Sequence, residues 1–209
     1  METLKNLRGM PYLEYFPEDF DENKKYPVII YLHGAGERGP GVVNVLKIHG
    51  PIKEANAGMK MPFIVLSPQC DYYKTWFEYG ERLCALAELC TQTPYMDKSR
   101  IYLTGNSMGG FGTWELAMLR PQIFAAIVPI CGGGMPWNAP TLKDMPVWAF
   151  HCENDPGVNV QETKKMIAAL GKCTQADVRV TYFPSDSHDA WTAAYQNPDV
   201  YEWLLSHKR

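Results

Sequence analysis

Six short apolar runs that do not alternate with polar residues constrain this chain more than any other feature. They are Val28-Ile29-Ile30-Tyr31-Leu32, Phe63-Ile64-Val65-Leu66, Ile101-Tyr102-Leu103-Thr104, Ala126-Ile127-Val128-Pro129-Ile130, Val147-Trp148-Ala149-Phe150 and Val178-Arg179-Val180-Thr181-Tyr182. A strand with one wet face shows a period of two, whereas a run that is apolar or β-branched throughout reads as a strand covered on both faces. Stretches with apolar residues at helical spacing lie between them: 81–90 (Leu83, Leu86, Ala87, Cys90), 110–119, 161–170 and a closing stretch, 199–205. Alternation of this kind predicts an α/β architecture, an open and mostly parallel sheet with helices on both faces. In such sheets chemistry gathers at the carboxyl ends of the strands.

The chain has 209 residues with no repeat, linker or low-complexity segment, which predicts one domain over residues 1–209. The net charge is −3 and no run of Lys or Arg occurs, so a nucleic-acid partner is not expected. No stretch reaches the roughly 18 apolar residues of a bilayer span, so no membrane partner is expected either. The first residues lack the apolar core of a signal peptide, giving a cytoplasmic expectation, or a secreted one if a signal has been removed. The six cysteines are dispersed, without CxxC or a Cys/His cluster of zinc-ligand spacing. They are expected to be reduced, with no metal bound.

Strand ends supply the chemistry. The run Ile101–Thr104 passes into Gly105-Asn106-Ser107-Met108-Gly109-Gly110 and then a helical stretch. This is GxSxG in its strand–turn–helix context, with Ser107 as candidate nucleophile on a sharp turn. By composition GxSxG arises by chance in roughly one of fifteen chains of this length, so the context carries the argument. The run Val28–Leu32 ends in His33-Gly34-Ala35-Gly36-Glu37-Arg38. An acyl-transfer oxyanion needs two convergent donors, here assigned to the backbone N–H groups of Ala35 and Met108. Glu37 and Arg38 are expected to pair and brace this loop. The run Val147–Phe150 ends in His151-Cys152-Glu153-Asn154-Asp155, where Asp155 is favoured over Glu153 as the acid that orients a histidine. Of the five histidines only His188 follows both Ser107 and Asp155 at a strand end, which makes it the candidate base. His33 and His151 read as structural, and His207 is placed in the terminal helix.

Tyr26–Leu32, LHGAGERG at 32–39, GNSMGGFGTW at 105–114, Pro121–Ala126 and HDAW at 188–191 together resemble one subgroup of the α/β-hydrolases. That subgroup is the predicted esterases and peptidases related to polyhydroxybutyrate depolymerases and feruloyl/acetylxylan esterases. The resemblance runs from about Tyr12 to the C-terminus. The loop after Phe150 departs from the subgroup's HG-x-x-D pattern, carrying Cys152 in place of glycine. The resemblance implies the α/β-hydrolase fold with little or no lid, and ester hydrolysis through an acyl-enzyme without a cofactor. It implies a small-molecule or carbohydrate-linked ester, such as an acyl or feruloyl group on a sugar. A peptidase of the same fold is the alternative, and a catalytically silent binding protein a second. The few residues before Tyr12 suggest that the first strands, or an N-terminal domain of larger relatives, are lacking. Trp76, Trp191 and Trp137 are the candidate substrate-binding residues, because pockets are commonly lined by aromatics.

Overall fold

The computed structural model describes residues 1–39 and 45–209. Eight strands form one sheet: β1 (Glu2–Leu7), β2 (Met10–Tyr15), β3 (Tyr26–Leu32), β4 (Ile64–Pro68), β5 (Met96–Asn106), β6 (Ala126–Ile130), β7 (Val147–Cys152) and β8 (Val178–Phe183). Their spatial order is β1-β2-β4-β3-β5-β6-β7-β8. β1 and β2 pair antiparallel, as do β2 and β4; every other neighbouring pair is parallel. Among the described residues, six α-helices accompany them: α1 (Gly50–Asn56), α2 (Gly80–Gln92), α3 (Met108–Leu119), α4 (Gln161–Leu170), α5 (Trp191–Gln196) and α6 (Pro198–Ser206).

Five of the six apolar runs are explained by two cores; the sixth, Val178–Tyr182 in β8, is not covered on both faces, because β8 is an edge strand whose residues are exposed or half-buried. Along β3, Val28, Ile30 and Leu32 enter one core, with Leu83 and Leu86 of α2, Trp114 of α3 and Met166 of α4. Ile29 and Tyr31 of the same strand enter the other, with Ile52 of α1, Tyr195 of α5 and Trp203 of α6. All seven residues of β3 are therefore buried. Neither face offers a polar side chain a place in water, which removes the alternation.

Two strands, β1 and β2, precede β3 and form an antiparallel hairpin at one edge of the sheet. They are joined by a two-residue turn in which Arg8 and Gly9 both have positive φ, 51° and 78°. That is the requirement of a tight hairpin whose twist matches its strands. His207 lies just past α6 as its C-cap rather than inside the helix. The loop after β6 is not a lid. Its stretch Pro136–Leu142 forms a 3₁₀ helix that buries Ala139 and Leu142 in the core. Among the described residues, no helix is long and apolar enough to cross a membrane.

Candidate active site

The carboxyl ends of β3, β5, β6, β7 and the loop after β8 supply one cluster. At the end of β5, Ser107 has φ 54° and ψ −118°, a conformation unfavourable for a side chain-bearing residue. Its N–H is tied to the Ile130 carbonyl of β6 at 2.9 Å, and α3 starts at the next residue. The turn is tight enough to require glycine on both sides. A Cβ on Gly105 would strike the Gly109 carbonyl, and one on Gly109 would fall inside the Leu32 carbonyl. With no Cβ at either position, α3 can begin directly against the end of β3.

The candidate base stands beside the serine. His188 Nε2 lies 2.8 Å from Ser107 Oγ, and His188 Nδ1 lies 2.6 Å from Asp155 Oδ2. Asp155 is fully enclosed while the His188 side chain keeps 28% of its surface exposed, so the chain of bonds runs from the interior to solvent. The other carboxylate oxygen of Asp155 accepts the N–H groups of Gly157 at 2.7 Å and Val158 at 2.9 Å. Burial pulls the Asp155 carboxyl up, but the Val158 N–H, the His188 bond and the Gly157 N–H outweigh it and hold it below the ordinary carboxylate value. Glu153 is exposed and its side chain makes no hydrogen bond to His188 among the described contacts. An ionised, tethered carboxylate on Nδ1 leaves Nε2 free to accept a proton from the serine hydroxyl.

The two candidate oxyanion donors open neighbouring turns. Ala35 begins the 3₁₀ turn Ala35–Glu37 and Met108 begins α3. First-turn N–H groups of a helix have no partner inside it. The turns abut: a Cβ on Gly34 would meet the Asn106 side chain at 2.9 Å.

His33 is structural, as expected. It is completely buried, its Nδ1 donates to the Gly34 carbonyl at 2.6 Å and its Nε2 accepts the Cys70 N–H at 3.0 Å. Burial lowers its pKa to about 4, although the Gly34 bond opposes this, so the ring is neutral. Glu37 and Arg38 do not pair. Arg38 Nε donates to the Ala35 carbonyl at 2.9 Å, while Glu37 is buried 3.6 Å from His49 with its pKa raised by burial. The 3₁₀ turn ends at Glu37, and Arg38 follows it as the C-cap with extended backbone (φ −61°, ψ 146°), which separates the two side chains.

The three tryptophans have different fates. Trp76 is 1% exposed, donates Nε1–H to the His33 carbonyl at 2.9 Å and packs against the His33 ring at 4.8 Å. It braces the loop that begins at His33 and has no surface for a substrate. Trp191 is half-buried and edge-to-face with His188 at 5.1 Å, forming a wall beside the base. Trp137 is 80% exposed on the loop after β6.

Cys131, which the sequence did not single out, follows β6 with φ 48° and donates its thiol to the His188 carbonyl at 3.3 Å. Cys131, Asp155 and His188 are the only grouping of metal-ligand spacing among the described residues. The imidazole and the carboxylate are bonded to each other, the thiol is bonded to the His188 backbone carbonyl, and burial pushes the thiol well up. A cavity of about 690 Å³ lies at the opposite end of the strands, around Tyr26, Met61 and Arg100 near the amino ends of β3, β4 and β5. The candidate site is thus marked by reactive groups at the carboxyl ends rather than by that hollow.

The Phospholipase/Carboxylesterase family model matches residues 74–204, more than half of the chain and including Ser107, Asp155 and His188. The chain belongs to this family. A thermostable esterase of solved structure superimposes on the whole chain with a TM-score of 0.85 and 32% identity, the chain covering 63% of that protein. A probable feruloyl esterase C of Aspergillus terreus is 26% identical over 84% of this chain and 67% of its own length. A probable dipeptidyl-aminopeptidase B of Paracoccidioides brasiliensis is 31% identical over 49% of this chain but only 12% of its own length. This family member therefore spans a small part of that peptidase and under two thirds of the solved esterase.

Proposed function

We propose that the protein is a serine carboxylesterase in which Ser107 is the nucleophile, His188 the general base and acid, and Asp155 the residue that orients the imidazole. The unbroken run of contacts from Ser107 Oγ through His188 to Asp155, at 2.8 and 2.6 Å, carries the reading. His188 takes the hydroxyl proton as Oγ attacks the ester carbonyl, and the N–H groups of Ala35 and Met108 hold the oxyanion. The imidazolium passes its proton to the leaving alcohol, and water then repeats the sequence to release the acid. No step calls for a metal or organic cofactor.

The substrate is an ester small enough to approach an unlidded site, including acyl or feruloyl groups carried on carbohydrate. The likeness to a feruloyl esterase supports this, as does the Trp191 wall beside His188. A peptidase is the second reading, favoured by the likeness to a dipeptidyl-aminopeptidase.

Ser107→Ala is expected to lower turnover of p-nitrophenyl acetate by at least about a thousandfold and to abolish labelling by a fluorophosphonate, with the circular dichroism spectrum unchanged. Turnover near the parent level in that variant would sink the assignment. Aminoacyl p-nitroanilides, assayed alongside acetyl and feruloyl esters, separate peptidase from esterase.

A further inference from the structure

His188 is not the only histidine on Asp155. His151, at the end of β7, is completely buried, with Nε2 3.3 Å from Asp155 Oδ2, the oxygen that also takes His188 Nδ1. The same Nε2 lies 2.9 Å from the Val158 carbonyl, and Nδ1 lies 2.7 Å from the Thr163 hydroxyl of α4. Thr163 in turn reaches the Gly132 carbonyl at 2.8 Å.

Proton counting decides the tautomer. Nε2 faces two oxygens that can only accept, so a bare lone pair there would oppose both. Nδ1 faces the Thr163 hydroxyl, whose single proton can turn either to the Gly132 carbonyl or to Nδ1, so a bare Nδ1 costs at most the Gly132 bond. Burial pushes the His151 pKa down, against the Val158 and Asp155 contacts that raise it, so the ring is neutral and carries one proton. That proton belongs on Nε2.

We propose that His151 is a positioning residue for the acid: its Nε2–H, shared between Val158 O and Asp155 Oδ2, holds the carboxylate oxygen that His188 uses and tempers its basicity. The inference rests on the Ser107–His188–Asp155 reading. Asp155 then has donors on both oxygens, Gly157 and Val158 on one and two imidazoles on the other. Among the described residues, no lysine or arginine pairs with it. The remaining titratable groups facing the network are the buried thiols of Cys131 and Cys152, both raised by burial, with Asp189 beyond Cys152.

A carboxylate that loses a donor stabilises a neighbouring imidazolium more strongly, so His188 should titrate at higher pH. In His151→Phe the acid limb of the kcat/KM–pH profile for p-nitrophenyl acetate is expected to move up by about half a pH unit, with kcat lowered several-fold. His151→Gln, which keeps an N–H donor, should return the limb toward its parent position. Thr163→Val disturbs the same buried pocket without touching the Nε2 contact, and should leave the limb in place.

A His151→Phe profile that superimposes on the parent, or a limb that moves equally in Thr163→Val, would overturn the proposal. Should His151→Phe not fold, ¹⁵N spectra of histidine-labelled parent protein decide it. A protonated Nε2 on His151 is expected, and a bare Nε2 overturns the inference. Ser107→Ala in the same assay keeps the two readings apart, since activity in that variant would remove the triad and not merely its support.

Discussion

Ser107, Asp155 and His188 come from three strand ends 33 to 81 positions apart in the chain, yet meet at hydrogen-bond distance. Their neighbours matter as much. His33 is held neutral because it is enclosed and its Nε2 must accept the Cys70 N–H. Its pKa of about 4, against an ordinary 6.5, has a consequence for stability. Between these values the unfolded chain binds a proton that the folded one refuses, so stability falls as pH drops from about 6.5 to about 4. The full difference is on the order of 3 kcal/mol. His33→Gln should flatten this part of the stability curve, measured by urea unfolding at pH 4.5 and pH 7. A slope that is unchanged in the variant would show that another group titrates there. Asp155 acts in the same direction at lower pH. Its folded pKa is depressed, so the stability it provides is present above the ordinary carboxylate value and is lost as pH falls through the folded one.

At the scale of elements, the turn Ala35–Glu37 is held from outside its own segment. Trp76, in the 3₁₀ turn that leads into α2, donates to the His33 carbonyl, and Gln69, just after β4, donates to the Glu37 carbonyl at 2.6 Å. Gly112 of α3 also lies against Trp76, where a Cβ would meet its side chain at 2.8 Å. Trp76 is thus a wedge between the helix after Ser107 and the turn at Ala35. Trp76→Ala should cost about 3–5 kcal/mol in unfolding free energy, because it leaves a large cavity. Its kinetic effect should fall on kcat across all esters alike. A loss confined to KM for aromatic esters would instead return Trp76 to the substrate wall. The 161–170 helix was legible from its periodicity, with the same limits as observed. The hairpin β1–β2 was not: its outer strand is an edge with mostly exposed or half-buried side chains, so it carries no apolar run. Its one local mark was Arg8-Gly9, the turn itself.

Across the whole molecule, the sheet order puts the hairpin at one edge and the reactive cluster on β3 and β5 through β8. Stability and chemistry are therefore separable along the sheet. Gly9→Val, which forces a β-branched residue to φ 78°, should cost about 1–2 kcal/mol or more. It should leave kcat per folded molecule unchanged, as read by thermal unfolding beside active-site titration with a fluorophosphonate. A proportionate loss of titratable sites at full folding would show that the hairpin supports the site after all.

The sequence alone determined the central strands and the candidate reactive groups that follow them. Those strands bury both faces, so their residues are apolar in an unbroken run. Each reactive group follows such a run, so Ser107, Asp155, His188 and the turn at Ala35 could be picked out by position and order. What the sequence could not determine was which side chains face one another across the sheet. Trp76 and Trp191 look alike in a string of letters, but one is wedged under His33 and the other borders His188. Glu37 and Arg38 are adjacent in sequence and part because the 3₁₀ turn ends between them and the backbone becomes extended at Arg38. His151 gains its place on Asp155 only when the loop 152–158 folds back over the end of β7 and α4 brings up Thr163. Those contacts depend on packing between distant segments, and only the tertiary structure decides them.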